Sequence, residues 1–197
     1  AYNSQDANFL VVWDDYRNLN TTISDIYGQQ YAPPDEVGPT NWNFIAPTGW
    51  QSAPIFPASA SVQDAYSGLN SSTAQARAST DGGATWTNWQ SASCNGCTGD
   101  PNNQGTLTGN FGWVHGSNNR VQFYICDQAS PARCSTSPAY PVSVDLLGPS
   151  NPTSVNPGAG CNAVSTQWQN TCNDANFTWS GANDGVGSGI QGYHYYW

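Results

Sequence analysis

Asn119–Asp127 reads N-R-V-Q-F-Y-I-C-D. Val121, Phe123 and Ile125 alternate with Gln122 and Tyr124, so every second side chain is apolar. A period of two places one face of a strand against a core and the other against water. The same rhythm extends on both sides. "APIFPASASVQD", "TAQARAST", "GTLTGNFGWV" and "AYPVSVDLL" are short β-rich runs separated by Gly, Pro and Asn clusters. No stretch has helical periodicity. About seven short strands between Gln51 and Leu147 predict an all-β protein built on a β-sandwich.

A turn lies within this region. Ser79–Trp89 reads S-T-D-G-G-A-T-W-T-N-W, and Ser79, Asp81, Gly83 and Trp86 fit the S-x-D-x-G-x-x-W pattern called the Asp box. Its mechanics are local. An aspartate accepts backbone N–H groups across a tight turn, glycines tolerate positive φ, and the tryptophan packs beneath. Sugar hydrolysis of the sialidase kind would also need clustered arginines, a nucleophile and an acid. The chain has four scattered arginines (Arg17, Arg77, Arg120, Arg133), and Glu36 is its sole glutamate. The box is therefore read as a hairpin device.

Composition narrows the function classes. Of 197 residues only 9% are charged, net charge is −9, and lysine is absent. There is no basic footprint for nucleic acid or anionic membrane. No apolar run reaches the length of a membrane span. Methionine is absent, which leads us to expect a processed chain or a piece of a longer one. Six cysteines in a chain without lysine and rich in Gly, Ser and Asn favour an oxidising, extracellular setting. They form three close pairs: Cys94/Cys97, Cys126/Cys134 and Cys161/Cys172. Spacing leaves the connectivity open, with Cys126–Cys134 and Cys161–Cys172 favoured as staples. The rival is a four-thiolate zinc site joining "CNGC" to Cys126 and Cys134.

Beyond the strand-rich centre the chain changes character. "NFLVVWDD" (Asn8–Asp15) and "SDIYGQQY" (Ser24–Tyr31) read as two strands, followed by a Pro-rich crossing. "GPSNPTSVNPG" (Gly148–Gly158) reads as an extended connector. "VQDAYSGLNSSTAQARAS" near residue 62 parallels "GANDGVGSGIQGYHYYW" near residue 181. Four regions follow: a partial β unit with its crossing (1–47), a complete sandwich (48–148), a linker (149–160) and the start of a second sandwich (161–197).

The residues "DAYSGLNSSTAQARASTDGGATWTNWQ", "NRVQFYICDQAS" and "YPVSVDLLGPSNPTS" resemble Ig-like, fibronectin-III-like repeat modules of large bacterial secreted and surface proteins. "WQNTCNDANFTWSGANDGVGSGIQGYHYYW" looks like the start of the same kind of module. The N-terminal V-V-W-x-D-x-R…D-I-Y-G-Q pattern is similar to a propeller-type repeat, yet one unit is too few for a propeller. The resemblance implies an extracellular scaffold and no particular chemistry.

Asp14 and Asp15 are adjacent and would point to opposite faces of a strand, so they cannot act as a glycosidase pair. His115 and His194 have no neighbouring nucleophile pattern. Asp64 and Asp184 hold matching repeat positions before Ser-Gly. Each is either a turn residue or a calcium ligand at a domain junction. Trp86, Trp89 and Trp113 are expected in the core, with sugar stacking as the alternative. Asn20, Asn70 and Asn176 head sequons. The expectation is a non-enzymatic extracellular surface protein, with copies of itself as partner in a head-to-tail filament made by strand complementation. The alternatives are a glycan-binding or adhesin module, or the accessory region of a larger secreted hydrolase.

Overall fold

The computed structural model describes residues 2–3, 8–15, 25–31, 34–157 and 177–194. Fifteen strands and no helix are found among them. In chain order they are β1 (Tyr2–Asn3), β2 (Asn8–Asp15), β3 (Asp25–Tyr31), β4 (Thr40–Ala46), β5 (Trp50–Gln51), β6 (Ile55–Gln63), β7 (Leu69–Ser79), β8 (Gln90–Ser91), β9 (Ser93–Asn95), β10 (Gln104–Gly112), β11 (Gly116–Asp127), β12 (Cys134–Thr136), β13 (Tyr140–Val144), β14 (Ser154–Pro157) and β15 (Phe177–Ser180). The all-β expectation holds.

Two sheets make the central sandwich. One has the order β4-β6-β10-β9, and the other β5-β13-β11-β7-β8 with β12 also paired to β11. The first is antiparallel throughout, and β5 joins β13 in parallel at the edge of the second. A three-stranded ribbon, β1-β2-β3, precedes the sandwich, and the two-stranded β14-β15 follows it.

The alternation in Asn119–Asp127 does what its period requires. Val121, Phe123 and Ile125 are fully buried in the middle of the second sheet. They meet Ala58, Ala60, Val62, Leu107 and Phe111 from the first sheet, with Ala74, Ala76 and Ala78 on the neighbouring strand β7. The core is made largely of alanine and valine. Of the three tryptophans expected there, Trp113 alone is part of it. Phe111, Phe123 and Trp113 are buried, whereas Trp42, Phe44, Phe56 and Tyr140 pack partly buried around the margin. Alanine lines the facing strands, and Phe111 fits where a glycine makes room. A Cβ on Gly109 would lie 2.8 Å from the Phe111 ring and 2.9 Å from the Ala76 Cβ.

The sandwich also begins earlier than composition suggested. Thr40–Ala46, read as part of a crossing, pairs with β6 as an edge strand of the first sheet. Within the stretch read as a linker, Ser154–Pro157 pairs with Phe177–Ser180. Prolines flanking these segments masked strand runs too short to show a period.

Candidate functional site

Three aspartates converge at the end of the sandwich where the chain enters from β3. Asp64 follows β6 and opens the loop to β7. Its Oδ1 accepts N–H groups from Tyr66 (3.0 Å), Ser67 (2.8 Å) and Gly68 (2.9 Å). Gly68 holds φ +74° and presses on the Gly99 backbone, where any Cβ would collide. Asp127 is the last residue of β11. Its Oδ1 accepts N–H groups from Ala129 (3.1 Å) and Arg133 (2.8 Å). Asp35 belongs to the segment leading into β4. Its Oδ1 accepts the Val37 N–H (3.0 Å) and its Oδ2 the Ser67 hydroxyl (2.6 Å). One carboxylate oxygen from each of the three lies within 4.8 Å of the others.

Burial makes the cluster unusual. Asp64 is 1% exposed and Asp127 fully buried. The Oδ2 of each has no hydrogen-bond partner. Buried polar side chains elsewhere in the sandwich, Asn119 and Ser137, are satisfied. Asn119 takes the Val114 N–H and gives its own N–H groups to the Val114 and Gly116 carbonyls. Ser137 accepts the Phe123 N–H. The third orphan, the Tyr140 hydroxyl, is neutral, and burial pushes its pKa up. Arg133 adjoins the cluster, but its Nε–H donates to the Asp35 backbone carbonyl. Among the described residues the one ion pair is His115–Asp145, far from these groups in the chain. A buried charge left without a partner costs about 3–5 kcal/mol. All the donors are hard oxygens, the set that suits calcium or magnesium.

Asp184, the matching repeat position, is in a separate cluster. Its Oδ2 accepts the Gly189 N–H (2.6 Å). Beside it Asp145 accepts the Ser188 N–H (2.8 Å) and hydroxyl (2.7 Å), which hold its carboxyl below the usual range. The two carboxylates close on Gly187, whose Cβ would sit 2.6 Å from Asp184 and 2.9 Å from Asp145. Ser188 therefore serves Asp145 as Ser67 serves Asp35. The reading of repeats missed Asp35, Asp127 and Asp145. For two of them a signal existed: Asp35-Glu-Val-Gly-Pro39 and Asp145-Leu-Leu-Gly-Pro149 share the pattern D-x-x-G-P. Asp127 had none, since it looked like the end of a strand. Asp100, in the "GDPNN" loop, is exposed; its carbonyl accepts the Asn103 N–H (3.4 Å) and its own N–H donates to the Thr98 hydroxyl oxygen (3.4 Å).

The Ser79–Trp86 turn is held mostly by its own side chains, with the Gly82 N–H donating to the Asn118 carbonyl of β11 (2.7 Å). Ser79 hydroxyl donates to Asp81 (2.7 Å), Thr85 N–H and hydroxyl donate to Asp81 (2.9 and 2.5 Å), and Trp86 Nε1–H donates to the Gly83 carbonyl (3.0 Å). Of the three candidate stacking tryptophans, Trp113 is 4% exposed, with its Nε1–H on the Phe56 carbonyl. It is core and is removed from the sugar-binding alternative. Trp86 and Trp89 stay half-buried, contrary to their expected place in the core. They flank the Arg77 guanidinium, 4.7 and 4.4 Å from the ring centroids. Trp86 also borders an open groove of about 410 Å³ with Thr85, Gln90 and Asn110.

Cys94 is bonded to Cys97, and Cys126 to Cys134. The four-thiolate zinc alternative is overturned, because each thiol it needs is consumed in a disulfide. Asn70 caps a local turn, accepting the Ser72 N–H (3.2 Å) and hydroxyl (2.7 Å). Asn20, Asn176, Cys161 and Cys172 lie outside the described residues. Among the described residues no helix is long and apolar enough to cross a membrane. No family model, curated protein or solved structure matches this chain.

Proposed function

We propose that this chain is a structural, non-enzymatic part of an extracellular or surface-displayed protein, made of Ig-like sandwich units set end to end. The observation that carries this is the repeated joint. Asp35 with Ser67 at one end of the sandwich, and Asp145 with Ser188 at the other, are the same contact made twice. The strand order supports the module type. One sheet in the order β4-β6-β10-β9 and a second led by β13-β11-β7 match the ABED and GFC sheets of an Ig-like sandwich. The disulfides agree with secretion. Head-to-tail pairing between copies is one way such units extend. The two-stranded β14-β15 is too small to be stable by itself and gains from further strands. The filament form of the proposal takes these from a neighbour.

A second reading, a glycan-binding surface, is favoured by Trp86 beside its open groove. Glycan-array binding together with analytical ultracentrifugation separates the two. The scaffold reading expects no glycan signal, and concentration-dependent association if copies complete one another. Array binding that disappears in Trp86→Ala would replace it with the adhesin reading.

A further inference from the structure

We infer that Asp35, Asp64 and Asp127 bind one calcium ion, which fastens the incoming segment to the end of the sandwich. Three observations support this independently. Two of the carboxylates are at least 99% buried, each keeps a buried oxygen without a hydrogen-bond partner, and an oxygen of each belongs to the cluster. A buried acidic turn residue normally shares both oxygens with N–H or hydroxyl donors, and here the Oδ1 atoms do so while the Oδ2 atoms do not. Next, among the described residues no cationic side chain forms an ion pair with these carboxylates. Arg133 is held against the cluster by its backbone and still points its Nε–H at a carbonyl. Last, the spacing fits. Oxygens bound to one calcium at about 2.3–2.6 Å lie at most about 5 Å apart, and these lie within 4.8 Å.

The ligands come from three separate places in the chain: the entering segment, the β6–β7 loop and the end of β11. An ion shared among them links Asp35, which is half-buried, to two side chains anchored in the sandwich. Backbone carbonyls of the surrounding loops and water complete the six to eight oxygens that calcium takes. Each Oδ1 is already fixed by N–H groups, so the carboxylates are oriented before the ion arrives. That arrangement limits the ordering cost of binding. The Asp145–Asp184 pair lacks these properties. It has two carboxylates, both reached by hydrogen-bond donors, and so among the described residues one ion site is expected.

Isothermal titration of the chelator-stripped full chain with calcium chloride tests this, alongside thermal unfolding in calcium and in chelator. The expected result is one site with Kd at or below about 1 mM, the range of extracellular modules, with weaker magnesium binding. Saturating calcium should raise Tm by several degrees. Asp127→Asn keeps the Oδ1 acceptor and removes the charge, so it should fold. It should bind calcium at least ~100-fold more weakly, since one of three anionic ligands is gone, and lose the Tm rise. In chelator it should be at least as stable as the parent, because a like charge has left the cluster. If that variant aggregates, Asp35→Asn supplies the same test at a half-buried position. Asp100→Asn, an exposed acid in the nearby loop, should change nothing. Equal Tm in calcium and chelator for the parent would overturn the assignment. So would unchanged calcium affinity in the soluble Asp127→Asn or Asp35→Asn variant.

Discussion

Asp81 shows how a single carboxylate can hold a turn without any ligand. Its pKa is pushed well below the ordinary 3.8, first by the Thr85 hydroxyl, then by the Thr85 N–H and the Ser79 hydroxyl. A carboxyl depressed in the folded state stabilises that state when ionised. The contribution is complete above the unfolded value of 3.8 and fades as pH falls below it, toward the folded value. Asp81→Asn should therefore lower Tm at neutral pH, with the gap to the parent closing in acid. Paired melts across that range check it, and a gap that is constant with pH would leave the charge without a role. The contrast with Asp64 and Asp127 is instructive. Asp81 finds donors within four residues, so its part was legible in the local pattern S-x-D-x-G-x-x-W. The oxygens of Asp64 and Asp127 face each other only after the sheets have formed, and no window of sequence contains both.

Strands reveal which patterns carry their own meaning. β11 was legible because its apolar side chains are large and strictly alternate, and it sits where both faces are specified. β6 and β7 are harder to read, since alanine and serine alternate with little contrast in hydrophobicity. What marks them as core is their partners: Ala58 and Ala60 on one sheet, Ala74, Ala76 and Ala78 on the other, all at most 4% exposed. Small residues at these positions allow Gly109 and Ala76 on facing strands to approach closely. Overpacking there should cost more than its volume suggests, because Gly109 and Phe111 already crowd Ala76. Ala76→Leu is expected to destabilise the fold by about 1–3 kcal/mol, the usual cost of forcing extra methylenes into a packed core. Urea denaturation at unchanged m-value would read it. A neutral result would mean that the sheets can part locally and that the close contact is not required.

At the level of the whole molecule the question is where the sandwich begins and ends. Residues 34–147 contain both sheets, both described disulfides, every buried core residue and the three clustered aspartates. A boundary drawn from composition at residue 48 would remove β4, because the Pro-rich surroundings of Thr40–Ala46 hide its alternation. That cut has physical consequences. β6 would lose its antiparallel neighbour and become an open edge. Trp42 and Phe44 would no longer cover the core margin, and the Phe44 ring, stacked 4.9 Å from Tyr140, would be gone. The Trp42 Nε1–H bond to Ser135 (3.0 Å), which ties the two sheets together, would go too. Asp35 would be missing from the carboxylate cluster. A fragment of residues 34–147 should fold by itself with a single cooperative transition and keep the calcium response of the full chain. A fragment of residues 48–148 should be about 2–4 kcal/mol less stable, from two lost partly buried aromatics, should aggregate through its open edge, and should bind calcium poorly. Chemical denaturation and calcium titration of the two fragments side by side decide it. Equal stability and equal calcium binding would mean that β4 and Asp35 are passengers on a sandwich that stands without them.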